Sequence, residues 1–565
     1  MKHLVTSALP YANGPLHFGH LAGAYLPADI YCKHLKLMGK ECLHISGSDE
    51  HGVAIMQNAQ KKKKSYKAYV DNWHKEHAKL FEKYAISFDF FGQTSEPYHK
   101  DEVLKWFHEL YDQGFIEKHA QDQLQCQDCH NFLPDRYVEG TCYVCGYQEA
   151  RGDECPSCGE WINAVKLKDP TCKFCESKNI EVKSVDQWYL MLSKYHKEYR
   201  QWFEKISPSW RKGVSSFINA LTKDEMVDRA ITRDLDWGID VPLEEAKGKK
   251  LYVWFDAPIG YVSNTKEYLR QKKSSEDYLD DWWNSPDVEI TNFIGKDNIV
   301  FHGIIFPMMS LASKRVRAVS NLPANQYLNL EGKKLSKSSG WYIDANKAVN
   351  EFGTDALRYY LTTLIPETND SSFTWDGFEA KINNELANNI GNFVNRCLIF
   401  FYKNWNEGIE GEHFLSFFET DAFKEMQKQV LHIGSLLDEI QVKRALEQIM
   451  HLGQVANTYF SDRAPWAQIK EDKTQAEQTI AHSTIYAITL ACLFTPYLPE
   501  LSSKIKAYFE NLDDDLVSSI YQGEFSKLKE LLSNGLKLVK KPKGLVKKIE
   551  SERILELKAQ LQAKA

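Results

Sequence analysis

Four Cys-x-x-Cys pairs, Cys126/Cys129, Cys142/Cys145, Cys155/Cys158 and Cys172/Cys175, fall within fifty residues of a 565-residue chain. This spacing lets two thiolates approach one ion across a tight knuckle, and two such pairs complete a tetrahedral four-cysteine zinc site. Eight ligands make two structural zinc sites the expectation. Each site would have all four positions filled, which leaves no place for a zinc-bound catalytic water. Sequential pairing of neighbouring knuckles and nested pairing (inner two together, outer two together) both close reasonable loops, so spacing leaves both open. A redox dithiol would need only one such pair beside a helix. Cys32, Cys42, Cys397 and Cys492 lie in apolar strand or helix patterns and read as core.

Metal rather than disulfide is the reading for a reducing compartment. The N-terminus lacks the basic stretch, apolar core and small-residue cleavage site of a signal peptide. The longest apolar stretch, near 485–498, is interrupted by Pro496 and falls short of the ~18 residues of a spanning helix. A soluble cytoplasmic protein is expected, with no membrane partner. Lys plus Arg is 70 against 77 Asp plus Glu, a net charge of −7. A nucleic-acid partner would therefore be met by local patches, not by bulk charge.

Residues 4–9 are a short apolar run, followed by the turn-rich Pro10-Tyr11-Ala12-Asn13-Gly14-Pro15. Leu21, Ala24, Ala28, Cys32 and Leu35 then recur at helical spacing, Gly39 sits where a C-cap glycine belongs, and Pro27 should kink the helix. With a strand over 41–46 this makes a βαβ unit and implies a parallel sheet. Segments 250–255 and 288–294 read as later strands and 299–313 as a helix. The cysteine-rich region reads as an insertion into the sheet domain. After about Phe373 strand signals stop and helical patterns run to the end. At roughly 150 residues per domain, about four domains are expected.

His17-Phe18-Gly19-His20 lies between the first strand and first helix, the ligand-binding end of an open α/β sheet. A helix N-terminus there offers N–H donors to an anion, and two histidines one turn apart can donate to phosphate oxygens. Far downstream, Lys334-Leu335-Ser336-Lys337-Ser338-Ser339-Gly340 carries two lysines and several hydroxyls on a small loop, suited to charge developing on a polyphosphate. Either segment alone is weak; together they carry weight.

This pair of motifs resembles the class I aminoacyl-tRNA synthetases, and within them the methionyl-tRNA synthetase family. Segments 8–14 and 254–261, Gly295-Lys296-Asp297 leading to Phe301-His302, the knuckle insertion and Ala464-Pro465-Trp466 match in the family's order across essentially the whole chain. The resemblance implies a Rossmann-like parallel-sheet catalytic domain split by a zinc-knuckle insertion and followed by an all-α anticodon-binding domain. The expected division is residues 1–115 and 232–322 for the two catalytic halves and 116–231 for the insertion. Residues 323–375 form the lysine-loop connector, 376–540 the anticodon-binding domain and 541–565 a basic segment with a helix.

The resemblance also implies residue roles. Ala8, Leu9, Tyr11, Trp254, Ala257, Pro258, Tyr261 and His302 would surround a methionine side chain, whose thioether suits aromatic walls. Asp49 would hold the substrate ammonium, and Arg233 would bind between amino acid and ATP. His17, Gly19, His20, Gly295, Asp297, Lys334 and Lys337 would handle ATP with Mg. His17, His20, Lys334 and Lys337 would stabilise the transferring phosphate. Asn389, Pro465 and Trp466 would read the anticodon of methionine tRNA, whose acceptor end enters the active site. The inner cysteines match the family's common zinc site and the outer four a second one, which favours nested pairing. Three positions depart from the family's usual pattern. Leu335 replaces methionine, Phe306 replaces a pocket-wall tryptophan of some relatives, and Phe393 stands where some carry arginine. The implied activity is ATP-dependent ligation of methionine to its tRNA through methionyl-adenylate, for translation including initiation, by a monomer. A class I synthetase for another amino acid, whether an editing enzyme or a cysteine enzyme, a nucleotidylyltransferase and a zinc-knuckle scaffold are the rivals.

Overall fold

The computed structural model describes residues 1–563 except 134–136, 153, 161, 225, 273–278 and 337–339. Two sheets position the site. In chain order their main strands are β1 (Lys2–Ser7), β2 (Cys42–Ser48), β3 (Phe90–Gln93), β4 (Ile116–Cys126), β5 (Ile180–Leu190), β6 (Val288–Gly295) and β7 (Ala324–Asn325). Five of them form a parallel sheet in the order β7-β6-β1-β2-β3. β1 and β2 are almost wholly buried, as strands of a sheet covered on both faces are, although His3, Thr6, His44 and Ser46 among their residues are polar. The order reverses between β1 and β6, paired from Lys2↔Val288 to Ser7↔Phe293. The crevice at their carboxyl ends is where open α/β sheets bind ligands.

Each of these central strands is followed by a helix built around the same device. After β1, helical turns run through Phe18–His20, a π-helical segment Leu21–Tyr25 and Leu26–Leu37. Pro27 has no N–H for the Gly23 carbonyl one turn earlier. The helix widens there, and the Asn325 side chain on β7 donates to that carbonyl at 2.7 Å. After β6, a π-helical segment Phe301–Ile305 precedes Phe306–Ser313, and Pro307 leaves the Gly303 carbonyl to accept from Tyr199 Oη at 2.6 Å. The expected disturbance at Pro27 is thus a π-turn within a continuous helical run. Gly39 follows this run with φ 68°, as expected of a C-cap glycine.

The segment expected as a strand over 250–255 is one only at Lys250–Leu251. The aromatic and β-branched residues that suggested a strand turn into a short helix, Val253–Asp256, and then into Ile259–Gln271. That turn carries Trp254, Ala257, Pro258 and Tyr261 onto the crevice.

Between the halves, β4 and β5 form a long antiparallel ribbon, Ile116↔Leu190 through Cys126↔Ile180, with the knuckles at its far end. Past Phe373, the end of the last strand among the described residues, the chain is helical. The apolar stretch near 485–498 lies largely in a buried helix, Lys473–Leu493. Among the described residues no helix is long and apolar enough to cross a membrane. Arg358 fastens the helical part to the sheet part. Fully buried, it pairs with Asp29 at 2.9 Å and donates to the carbonyls of Tyr84, Pro496 and Tyr497 at 2.8, 2.6 and 2.7 Å. The final helix, Ser551–Gln562, packs back on Trp375–Ala380, with Lys558 Nζ 2.7 Å from Asp376 and Arg553 2.5 Å from Glu351.

Candidate active site, metal centres and anticodon face

The crevice at the ends of β1 and β6 is a cavity lined by Ala8, Leu9, Asp49, Trp254, Ala257, Pro258, Tyr261, Asn298, Phe301 and His302. Eight of these were expected from the sequence; Asn298 and Phe301 were not. Their signal was their place in the helical turns around His302. His302 Nδ1 lies 3.0 Å from the Asn298 carbonyl and so donates to it, which makes Nε2 the acceptor of the Tyr261 hydroxyl at 2.8 Å. Burial holds the His302 pKa down at about 4, so the ring is neutral. The Tyr261–His302 pair therefore presents no charge to the cavity. Its mouth is aromatic: Trp254 and Phe301 have ring centroids 4.3 Å apart, and Trp254 is 43% exposed.

Asp49 brings a carboxyl group to the pocket. Its Oδ1 is buried and has no hydrogen-bond partner. Burial, reinforced by the Asp256 and Glu50 carboxylates, pushes its pKa well above the usual carboxylate range. Asp256 is itself buried, its Oδ2 2.8 Å from His51 Nδ1 and 3.4 Å from His99 Nε2.

Two expected pocket residues do not line the cavity. Tyr11 bridges to Asp49 through the backbone beside it. Arg233 donates to the carbonyls of Thr232 and Ala230 at 2.9 and 3.2 Å and lies 4.1 Å over the Tyr252 ring. Tyr252 in turn meets Trp254 at 4.9 Å, so Arg233 reaches the mouth through two rings. Phe306 packs against Trp106 and Trp283, behind the cavity wall.

The two segments expected to handle anions meet. The His17 backbone N–H donates to His20 Nδ1 at 3.1 Å, and the two rings are 3.8 Å apart. A side-chain carbon placed on Gly19 would come within 3.1 Å of both the His17 ring and Leu335 Cδ1. Leu335 therefore packs closely on Gly19, and a larger residue there would have to displace it or the His17 ring by a few tenths of an ångström. Lys334 is exposed beside this contact, while Lys337 lies outside the described residues. Gly295 ends β6, and Asp297 follows in the turn Lys296–Asn298.

The cysteines form two groups, Cys126/Cys129/Cys172/Cys175 and Cys142/Cys145/Cys155/Cys158, each with its sulfurs within 4.8 Å of one another. Cross-knuckle Sγ–Sγ distances are 3.6 and 3.7 Å in the outer group and 3.6 and 4.0 Å in the inner. A tetrahedron with metal–sulfur bonds of ~2.3 Å has edges of about 3.8 Å. The pairing is nested. All four knuckles share one geometry. The residue after each second cysteine has positive φ: His130 59°, Gly146 77°, Gly159 72° and Glu176 60°. The first cysteine's N–H bonds the carbonyl five residues on in each case.

In the helical part, Ala464 at φ 44° breaks the chain between Val442–Arg463 and Pro465–Glu471, and Pro465 opens the second helix. The break presents Trp466, 42% exposed, with its ring 5.8 Å from Phe460. Arg396, unexpected from the sequence, lies 5.0 Å over Trp466 and 5.1 Å over Phe460. Phe393 is core, and Arg396 lies three residues further along the same helix. Asn389 keeps a buried, unpartnered Oδ1 about two turns before Arg396.

A switch-point pocket in a parallel sheet, with a histidine loop and a lysine loop in contact, defines the catalytic domain of a class I aminoacyl-tRNA synthetase. Residues 3–398 match the family model for class I tRNA synthetases (M), and residues 413–565 match the anticodon binding domain of methionyl tRNA ligase. The methionine–tRNA ligase of Protochlamydia amoebophila is 40% identical over 510 residues, covering 89% of this chain and 72% of the relative. That of Pyrococcus furiosus is 39% identical over 567 residues, covering 98% and 76%. A Mycobacterium tuberculosis methionyl-tRNA synthetase, solved with methionyl-adenylate, shares the fold at TM-score 0.77 and 20% identity, covering 97% of this chain and all of that one. The chain belongs to the methionine–tRNA ligase family.

Proposed function

We propose that the chain activates methionine with Mg-ATP, releases pyrophosphate and transfers the methionyl group to the 3′-terminal adenosine of methionine tRNAs, the initiator included. The contact between Leu335 and Gly19 supports this reading, because it brings together the histidine and lysine segments that the mechanism assigns to the phosphates. Asp49 takes the methionine ammonium, and the neutral Tyr261–His302 pair and the Trp254 and Phe301 rings surround the thioether. The carboxylate then attacks the α-phosphate. His17 and His20 donate to that phosphate, and Lys334 and Lys337 hold the β- and γ-phosphates. Asp297 and Gly295 contact the nucleotide. Catalysis is positioning and charge stabilisation, with no covalent enzyme intermediate.

Each four-cysteine group holds a zinc ion, which supplies a structural cross-link and no open coordination position. Trp466 stacks an unpaired anticodon base, with Arg396 behind it and Asn389 at a base edge. The enzyme acts as a cytoplasmic monomer. Lys334→Ala and Lys337→Ala should lower the methionine-dependent ATP–pyrophosphate exchange rate with little change in methionine affinity; an unchanged rate would overturn the lysine assignment.

A further inference from the structure

Tyr327 stands between two segments that the proposed mechanism brings to ATP. Its hydroxyl donates to Asp297 Oδ1. Its ring carries two ammonium groups: Lys296 Nζ at 3.8 Å and Lys334 Nζ at 4.9 Å from the centroid. Asp370 closes the cluster, accepting from the Tyr327 backbone N–H at 2.9 Å and from Lys296 at 3.0 Å. Two cations and two carboxylates thus meet around one aromatic residue at the start of the lysine-loop connector. Asp370 and the Tyr327 ring together satisfy Lys296, whereas neither carboxylate of this cluster hydrogen-bonds Lys334; the Tyr327 ring holds it.

We propose that Tyr327 is a positioning residue for the adenylation step, holding Lys334 and Asp297 apart and ready for the nucleotide. Lys334 and Asp297 carry opposite charges and both rest on Tyr327, and a direct Lys334–Asp297 pair would take both groups from ATP. The aromatic face holds an ammonium without neutralising it, and a polyphosphate can displace so weak a contact. The hydroxyl occupies one lone pair of the Asp297 carboxylate and leaves its other sites open.

The inference rests on the reading of the lysine loop as phosphate-handling, and the test separates the two. Tyr327→Leu, Tyr327→Phe, Lys334→Ala and the Tyr327→Leu/Lys334→Ala double variant are compared in ATP–pyrophosphate exchange, with ATP and methionine varied separately. Tyr327→Leu should raise the KM for ATP about threefold to tenfold, the size of a lost ring contact and a charged hydrogen bond, and leave the KM for methionine unchanged. Tyr327→Phe, which keeps the ring, should fall between Leu and the parent. In the Lys334→Ala background the Tyr327→Leu effect should shrink. Equal rises in both KM values, or full additivity with Lys334→Ala, would overturn the proposal. If Tyr327→Leu fails to fold, the same split is read from Tyr327→Phe. A silent Lys334→Ala breaks the lysine-loop reading itself. An impaired Lys334→Ala beside silent Tyr327 variants breaks only the role of Tyr327.

Discussion

Trp466→Ala should separate the two halves of the proposed reaction. The ring is 42% exposed, and Arg396 and Phe460 brace it. A platform of this kind contributes ~1–3 kcal/mol per stacked base. At about 1.4 kcal/mol per tenfold, its loss should lower kcat/KM for methionine tRNA by about 5- to 150-fold. The ring does not line the methionine cavity, so methionine-dependent ATP–pyrophosphate exchange should keep the parent rate. Trp466→Phe, which retains a stacking face, should recover most of the loss. The assay is steady-state charging with tRNA varied, run beside exchange on the same preparation. Charging at the parent level would refute the anticodon role. An equal fall in exchange would show that the substitution disturbed the whole fold rather than a base contact.

Methionine binding should strengthen as pH rises through the raised Asp49 pKa and then level off, because the proton held in the empty pocket must leave before the carboxylate can take an ammonium. Asp49→Asn should raise the methionine KM by about tenfold or more and flatten that acid limb; an unchanged profile in KM measured against pH would contradict the role. Elemental analysis should find two zinc ions per chain, falling to one in Cys145→Ser, and removal of zinc should melt the knuckles before the sheet in hydrogen exchange. Full occupancy in the serine variant would contradict the grouping. Arg358→Met should cost about 2–4 kcal/mol in denaturant unfolding, because it leaves Asp29 only Lys33 and Ser87 and strands the buried carbonyls of Tyr84, Pro496 and Tyr497. A cost below about 1 kcal/mol would show that these groups find other partners.

The legible parts of this protein are those whose chemistry sits in local spacing. The cysteine pairs announce their knuckles, and the histidine loop announces a helix N-terminus after a strand. What the spacing leaves open is which knuckles meet, because that depends on how β4 and β5 bring Cys126 and Cys175 together. The stretch before the Trp254 segment misleads for a related reason. Its composition favours a strand, but Tyr252 N–H bonds the Ile231 carbonyl and the chain turns into a helix that faces the cavity. Arg396 escapes notice because its partner Trp466 is seventy residues further on and only a non-glycine left-handed turn at Ala464 brings them together. The donors that satisfy the carbonyls freed at Pro27 and Pro307, Asn325 and Tyr199, are likewise distant in the chain.

The central claim is that one pocket selects methionine and delivers it to ATP beside the meeting histidine and lysine loops. The most direct measurement is ATP–pyrophosphate exchange with each of the twenty amino acids supplied singly to the zinc-loaded protein. The account predicts rapid exchange with methionine and none near that rate with the others. Exchange driven by a different amino acid, or none at all from folded protein with both zinc ions bound, would contradict it.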